Sequence, residues 1–240
     1  MEAIRPVERD LEAEAARLLE VIDARGISAR LIGGMAIRML AGPRLHPTFV
    51  REIADLDFIV DRGSSRELSR ALVEAGYAAD EQFNALNGAR RMLFWDPEHG
   101  RQIDVFVGSF EMCHSLPLTE QLDVRPHTLP AADLLMTKLQ IVELNEKDRH
   151  DAFAILHAHD LHEADLDPAG VDAINLTRIV SLTSQDWGLQ RTFELNLGRL
   201  EASAPELPVA PEERAAIEGR INRLAEEIEQ APKSRKWKLR

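Results

Sequence analysis

The feature that most constrains the fold is a glycine pair, Gly33-Gly34, followed about twenty residues later by two acids spaced i, i+2. These acids are Asp55 and Asp57, and the apolar residues Phe58-Ile-Val60 directly after them are typical of a buried strand. Alternate side chains of an extended segment point to opposite faces, so both carboxylates are expected to point the same way. Two like charges on one face repel each other, and a shared divalent cation relieves that repulsion. The alternative is a pair of surface acids at the mouth of a strand.

The glycine pair is predicted to lie between a strand and a helix. Residues 27–32 are short and apolar, and residues 35–40 follow as a short helix. In a strand, glycine turn and helix, free backbone N–H groups can face a phosphate. The alternative is a tight turn with a structural role only, because glycine pairs are common in turns.

A third acid, Asp104, lies in the middle of an apolar strand, Ile-Asp-Val-Phe-Val. Burying an unpaired carboxylate is costly, so Asp104 needs a partner. One candidate is an arginine such as Arg90 or Arg91. The other is the cation that Asp55 and Asp57 are expected to hold.

Hydrophobic periodicity predicts helices and strands along the whole chain. The predicted helices cover residues 6–24, 35–40, 64–75, 130–142, 171–182, 187–200 and 211–230, and the predicted strands cover 27–32, 55–60, 89–95 and 101–107. Ser64 or Ser65 is expected to cap its helix. Proline and glycine between the last two strands favour a hairpin.

A second polar block follows the predicted helix 130–142. Asp148 and Asp151 are spaced i, i+3 and are expected to share a helix face. Lys138 lies within the preceding helix, and the simplest expectation is a solvated lysine whose stem covers apolar surface. The histidines of Leu156-His-Ala-His-Asp-Leu-His162 do not share one helix face, which favours a structural or surface role over a zinc site.

Composition excludes several classes of protein. The chain has 29 Lys and Arg against 41 Asp and Glu, a net charge of −12, which does not suit broad, unspecific nucleic-acid binding, although a local basic patch remains possible. Cys113 is the single cysteine, so no internal disulfide forms, and it is expected to be a small buried hydrophobe. The chain begins without the apolar core of a signal peptide and has no apolar run near the roughly twenty residues that span a bilayer. We expect a cytoplasmic protein with no membrane segment.

The last residues, 233–240, are basic and contain one tryptophan. They can contact RNA or an acidic partner. The alternative is a frayed, charged terminus, as chain ends often are.

Two sequence blocks resemble a known family. Gly33-Gly34 followed by Arg51-x-x-x-Asp-Leu-Asp-Phe58 resembles the AbiEii-type nucleotidyltransferase toxins, a branch of the nucleotidyltransferase superfamily with a polymerase-beta-like palm. Pro130-Ala-Ala-Asp-Leu-Leu-Met-Thr-Lys138, followed by Lys147-Asp-x-x-Asp151, is similar to that family's second block. The resemblance implies an α/β (α+β) fold, with a mixed sheet flanked by helices in a palm domain over residues 1–128. It also implies a helical C-terminal domain over residues 129–240.

The resemblance further implies metal-dependent transfer of a nucleotide from an NTP to a hydroxyl acceptor, either RNA, such as tRNA, or protein. Asp55 and Asp57 would hold Mg²⁺ or Mn²⁺ against the triphosphate, and Asp104 would hold a second metal or take the proton of the attacking hydroxyl. A toxin of this kind would have an antitoxin protein as a partner, docked on the acidic helical region.

The same resemblance places groups around the phosphates of the NTP. The backbone amides near Gly33, Gly34 and Met35 would meet the β- and γ-phosphates. Lys138 would contact the triphosphate, and Asp148 would orient this lysine or act in proton transfer. Further candidates for phosphate contacts are Arg38 and Arg51.

The chain departs from the family pattern at two places. Ile53 stands where the family often has Ser or Thr, and Asn145-Glu146 stands where it often has Arg. These departures motivate the alternative of a non-catalytic nucleotide-binding or partner-binding module on the same fold.

Overall fold

The computed structural model describes residues 6–239, which form a mixed α/β structure that divides into two compact units. Unit 1 comprises the chain up to Ala36, Glu52–Glu111 and Ser115–Leu129. Unit 2 comprises Ile37–Arg51, Met112–His114 and the chain from Pro130 onward. None of the helices in the described part of the chain combines the length and the apolar character needed to cross a membrane.

A mixed five-stranded sheet is the framework of unit 1. Its strands are β1 (Ala29–Ile32), β2 (Leu56–Val60), β3 (Ala78–Ala79), β4 (Arg91–Trp95) and β5 (Gln102–Val107). The strand order is β1-β2-β5-β4-β3, with β2 parallel to β5 and the other neighbours antiparallel. Nearly every residue of β2 and β5 is buried, as expected for central strands covered on both faces. The predicted hairpin between residues 89 and 107 is therefore confirmed as β4 and β5.

In the described residues of unit 1, four α-helices begin. They are α1 (Leu11–Ala24), α2 (Gly33–Ala41), α3 (Ser65–Glu74) and α4 (Glu81–Asn87), with a 3₁₀ turn at Leu118–Gln121 and the short strands β6 (Phe110–Glu111) and β7 (Ser115–Leu116). The predicted start of α1 at residue 6 is wrong because Asp10 is the N-cap and its side chain accepts from the Ala13 amide. Ser64 occupies the predicted N-cap position of α3, but its hydroxyl makes no cap hydrogen bond and donates to Asp61 instead.

A buried polar network joins α1 to the segment after α3 within unit 1. Glu14 accepts from the Arg17 guanidinium at 2.8 and 2.7 Å and from the Tyr77 hydroxyl at 2.7 Å. Arg17 also donates to the Ala75 carbonyl at 3.0 Å. All three side chains are almost fully buried. Burial and the Glu14 hydrogen bond raise the pKa of Tyr77, so its hydroxyl stays a donor.

Unit 2 is mainly helical. Its elements are 3₁₀ turns at Gly42–Arg44, Pro47–Phe49 and Ala204–Glu206, helices α5 (Ala131–Leu139), α6 (Glu146–Ala158), α7 (Leu176–Thr183), α8 (Trp187–Ser203), α9 (Pro211–Gln230) and α10 (Arg235–Lys238), and strands β8 (Leu161–His162) and β9 (Ile174–Asn175). All nine residues of α5 are buried, so this helix forms the core of unit 2. Helix α9 has the predicted bounds.

Several expectations for unit 2 are wrong. Val142 lies outside α5 and is exposed, so it does not belong to the apolar face of that helix. Helix α7 begins at Leu176 because the preceding residues form β9, paired with β8, and Asn175 then caps the helix. Cys113 is exposed, not buried. The basic segment after residue 232 is not frayed but forms α10 with a Ser234 cap.

The buried network predicts two graded losses of stability. Tyr77→Phe removes one hydrogen bond to a charged group and is expected to cost about 1–3 kcal/mol of unfolding free energy. Arg17→Met leaves Glu14 buried without its cation and is expected to cost about 3–5 kcal/mol. Urea unfolding followed by circular dichroism measures both values. If Arg17→Met lowers the unfolding free energy no more than Tyr77→Phe does, the ion pair between Arg17 and Glu14 does not contribute as expected.

Candidate functional site

Two carboxylates lie side by side on the central strands of unit 1. Asp57 on β2 and Asp104 on β5 are register partners in a parallel pair. Register partners point to the same face of a sheet, with backbones about 4.8 Å apart. Asp104 is buried and Asp57 is half-buried. Their mutual repulsion therefore requires a cation nearby.

A cation that contacts Asp104 is the guanidinium of Arg91 on β4. Its Nε lies 2.8 and 3.0 Å from the two carboxylate oxygens of Asp104, and its Nη2 donates to the same group. The guanidinium carbon also lies 5.1 Å from the ring centre of Phe106, the cross-strand partner of Arg91. Hydrogen bonding to Asp104 raises the pKa of Arg91, and the charges of Asp104 and Asp57 contribute in the same direction. Of the two partners expected for Asp104, the arginine is therefore the one that contacts it.

Gly33 brings the start of helix α2 against Asp57. Its φ of +71° favours glycine, and a Cβ added there would lie 2.1 Å from Asp57 Oδ2. The preceding residue, Ile32, is the antiparallel partner of Asp57. Gly34 and Met35 follow within the first turn of α2, where backbone N–H groups lack intrahelical acceptors. The expected glycine turn is thus the first turn of the helix, and the helix N-terminus, which carries partial positive charge, lies against the Asp57 carboxylate.

Asp55 is placed differently from the other two acids. It is exposed and precedes β2, so only Asp57 and Asp104 are joined by the strand register. Among residues 6–239, no group of three His, Cys, Asp or Glu side chains is arranged to hold a metal ion. Mg²⁺ is usually bound by one or two carboxylates together with waters and substrate phosphates. The Asp57 and Asp104 pair fits that donor set, and Arg91 now neutralises part of it.

A separate charged cluster lies in the core of unit 2. The Lys138 ammonium is 3.0 Å from Asp148 Oδ1 and 2.8 Å from Asp151 Oδ2. Arg51 holds Asp151 from the other side, with Nε at 2.8 Å and Nη2 at 2.7 Å. Lys138 is 9% exposed, so the expectation of a solvated lysine is wrong. The expected shared face of Asp148 and Asp151 is confirmed, because both contact this ammonium.

The two cations of this cluster control the ionisation of Asp151. Burial opposes the charged form, but Arg51 and Lys138 outweigh it and lower the pKa of Asp151. Burial likewise opposes the charge of Lys138, and Asp151 and Asp148 outweigh it and raise the pKa of the ammonium. Asp151 and Lys138 are therefore both charged near neutral pH.

The arginines expected at phosphates have other contacts within unit 2. Arg38 donates through Nη2 to the backbone carbonyl of Arg51, and Arg51 is paired with Asp151. These contacts position residues 38–51 beside α6. The phosphate roles of Arg38, Arg51 and Lys138, and the role of Asp148, stay predictions.

Sequence reasoning missed one further cluster in unit 2. His157 Nε2 lies 3.1 Å from Glu213 Oε1, and the His46 ring packs 5.2 Å from the His157 ring. The Ala210 amide and then His157 lower the pKa of Glu213. His46 and Glu213 carry no local pattern that links them to His157, so their meeting could only be found in three dimensions.

Replacement of Gly33 tests the contact with Asp57. Gly33→Ala is expected to cost about 2–4 kcal/mol of unfolding free energy, from the positive φ and the clash with the carboxylate. Gly26→Ala is the matched control, because Gly26 has φ +61° and no atom within 4 Å of an added Cβ; it is expected to cost about 1 kcal/mol. Equal losses for the two variants in urea unfolding would show that the Asp57 contact is absent.

The lowered pKa of Asp151 predicts a loss of stability in acid. A group whose pKa is lower in the folded state stabilises the fold at pH values above its ordinary pKa, near 3.9. That contribution is lost progressively as the pH falls from about 5 through the lower pKa of the folded state. Asp151→Asn is expected to cost about 3–5 kcal/mol at pH 7 and to flatten this pH dependence. Urea unfolding midpoints at pH 7 and pH 3 measure both effects.

Asp148→Asn is the control for that variant, since Asp148 contacts Lys138 but lies outside the pair with Arg51. It is expected to cost about 1–2 kcal/mol at pH 7. A loss as large as that of Asp151→Asn, or an unchanged pH dependence in both variants, would contradict the central position of Asp151.

Comparison with known proteins adds no family assignment. No protein-family model matches the sequence, and no curated protein matches it. The resemblance to nucleotidyltransferases therefore depends on the two sequence blocks, and the functional argument depends on the geometry of Asp57, Asp104, Arg91 and the Gly33 turn.

Proposed function

We propose that the chain is a Mg²⁺-dependent nucleotidyltransferase that transfers a nucleotide from an NTP to a hydroxyl of RNA, such as tRNA, or of a protein. The observation that carries this proposal is the register pairing of Asp57 with Asp104 directly beside the Gly33 turn that opens α2. It combines a site for a hard cation with a helix N-terminus suited to phosphate. The resemblance of the two sequence blocks supports the same reaction.

The residues of unit 1 have distinct roles in this proposal. Asp57 and Asp104 hold the cation, and the first-turn amides from Gly33 to Met35 donate to phosphate oxygens. Mg²⁺ bound there would neutralise the negative charge that develops during phosphoryl transfer. Gly33 keeps the amides close to the carboxylates because any side chain at this position would displace Asp57.

Arg91 has a defined part in the same scheme. It neutralises Asp104 through both carboxylate oxygens, which are also the oxygens that a metal ion would use. Arg91 and Mg²⁺ therefore compete for Asp104. The Arg91 side chain is 38% exposed, so it can leave the carboxylate for solvent without opening the core.

The bidentate contact of Arg91 favours one second candidate. If the guanidinium holds Asp104 permanently, it replaces the metal, and the chain is a nucleotide-binding or partner-binding module without turnover. The departures at Ile53 and Asn145-Glu146 agree with this alternative.

Transfer assays with single variants separate the two candidates. The native chain, incubated with labelled NTPs, Mg²⁺ and total tRNA or protein, is expected to form labelled product. Asp57→Ala is expected to lower the rate by roughly 100-fold or more, because it removes electrostatic stabilisation of the transferred group. Arg91→Gln is expected to lower the half-saturating Mg²⁺ concentration about fivefold, the effect of removing an ion pair of about 1 kcal/mol.

Arg90→Gln is the matched control, because its guanidinium lies 3.6 Å from Glu111 and it changes the net charge equally. It is expected to leave the Mg²⁺ dependence unchanged. No product from the native chain, together with NTP affinity in calorimetry that is independent of Mg²⁺, would establish the binding module instead.

A further inference from the structure

A small cavity in unit 2 is bordered by two tryptophans. It has a volume of about 230 Å³ and lies between the turn before α8 and helix α10. Its lining includes Asp186, Trp187, Lys236 and Trp237. Trp187 is 41% exposed although it is a large aromatic side chain. The volume is below the roughly 300 Å³ of pockets for drug-sized ligands, so the cavity suits one planar ring system.

Hydrogen bonds hold the wall that carries Trp237 in place. The Ser234 amide donates to the Ser184 carbonyl at 3.0 Å, which ties the start of α10 to the end of α7. The Ser234 hydroxyl accepts from the Trp237 amide at 3.1 Å and caps the short helix. The basic segment is thus docked next to Trp187, and the two rings border one cavity.

The charge around the cavity contrasts with that of the whole chain. The chain carries −12, but residues 231–240 contain no acid. Arg235, Lys236 and Lys238 on α10 are exposed. Lys233 is excluded from this set because it donates to the Ile228 carbonyl and lies in the field of nearby glutamates. Lys236 therefore lines the aromatic cavity, and the exposed Arg235 and Lys238 lie on the same short helix.

We propose that this cavity and the exposed cations of α10 bind single-stranded RNA. A base stacks against the exposed tryptophan, and Arg235, Lys236 and Lys238 contact the phosphates. Cations combined with aromatic rings are typical of sites for single-stranded nucleic acid. The choice of RNA over DNA rests on the proposed function, in which RNA is an acceptor.

Asp186 favours a nucleobase over an acidic peptide in the cavity. Its Oδ1 accepts from the Leu189 amide at 3.0 Å as the cap of α8. A carboxylate in the cavity wall repels acidic side chains, whereas the amino group of a base can donate to it. The cations of α10 would therefore meet the phosphates of the RNA, and the carboxylate of Asp186 would meet its base.

Binding of a fluorescent 12-nucleotide RNA, measured by anisotropy without NTP or Mg²⁺, tests the proposal. Trp187→Ala is expected to weaken binding about 5- to 100-fold, the range for loss of one stacked base. Trp187→Phe keeps a stacking ring and is expected to retain most of the affinity. Lys236→Gln with Lys238→Gln is expected to weaken binding about tenfold and to reduce its salt dependence.

Arg66→Gln with Arg70→Gln is the matched control, since it removes two exposed charges from α3. It is expected to leave RNA binding unchanged. Circular dichroism confirms that each variant is folded. A DNA oligonucleotide of the same sequence and a poly-glutamate peptide are the competing ligands.

Three outcomes would overturn the proposal: no RNA binding, equal weakening by the control pair, or preference for DNA or poly-glutamate. Because this assay uses neither NTP nor Mg²⁺, its failure is distinguishable from failure of the transfer reaction. RNA binding that persists when transfer is absent would support this surface and reject only the transferase.

Discussion

The juxtaposition of Asp57 and Asp104 is the constraint on which the candidate site depends. Parallel pairing of β2 with β5 places Asp57 and Asp104 on one face of the sheet, on strand backbones about 4.8 Å apart. Such a pair is stable only with positive charge beside it. Arg91 supplies a full charge, and the N-terminus of α2 supplies partial charge through the approach that Gly33 permits. Gly33 and Arg91 thus meet the same requirement, which is positive charge beside the two carboxylates.

The two charged clusters differ in how firmly their cations are held. In unit 2, the Lys138 side chain is 11% exposed and pairs with two acids, so removing it would leave buried charges uncompensated. In unit 1, the Arg91 side chain is 38% exposed and pairs mainly with one acid. Water can replace part of the interaction of Arg91 but not that of Lys138. The Lys138 cluster is therefore held by burial and by two ion pairs, whereas the contact between Arg91 and Asp104 is partly exposed to solvent.

Much of the fold could be predicted from local patterns. The hairpin β4–β5, the strand β2 and the long helices α8 and α9 follow from periodicity and turn residues, which act over short distances. The start of α7 could not be predicted, because residues with helical periodicity before Leu176 form strand β9, which pairs with β8. The burial of Lys138 was also missed, since its compensation by Asp151 depends on Arg51, which lies 100 residues away from Asp151. Tertiary pairing overrides a local preference in both cases.

The candidate site shows what a sequence can and cannot specify. A carboxylate in an apolar strand, such as Asp104, is costly to bury without a positive partner. The sequence alone predicts two candidates for this partner, a neighbouring arginine and a shared metal ion. Only the register of β4 against β5 reveals that Arg91 reaches Asp104 while its ring contact with Phe106 holds it at the same face. A metal ion at Asp104 would use the same oxygens as Arg91, so under the proposed function the two partners exclude each other at any one moment. Under the proposed function, the difference in free energy between Arg91 bound to Asp104 and a phosphate-bound cation at Asp104 would decide which of the two this carboxylate holds.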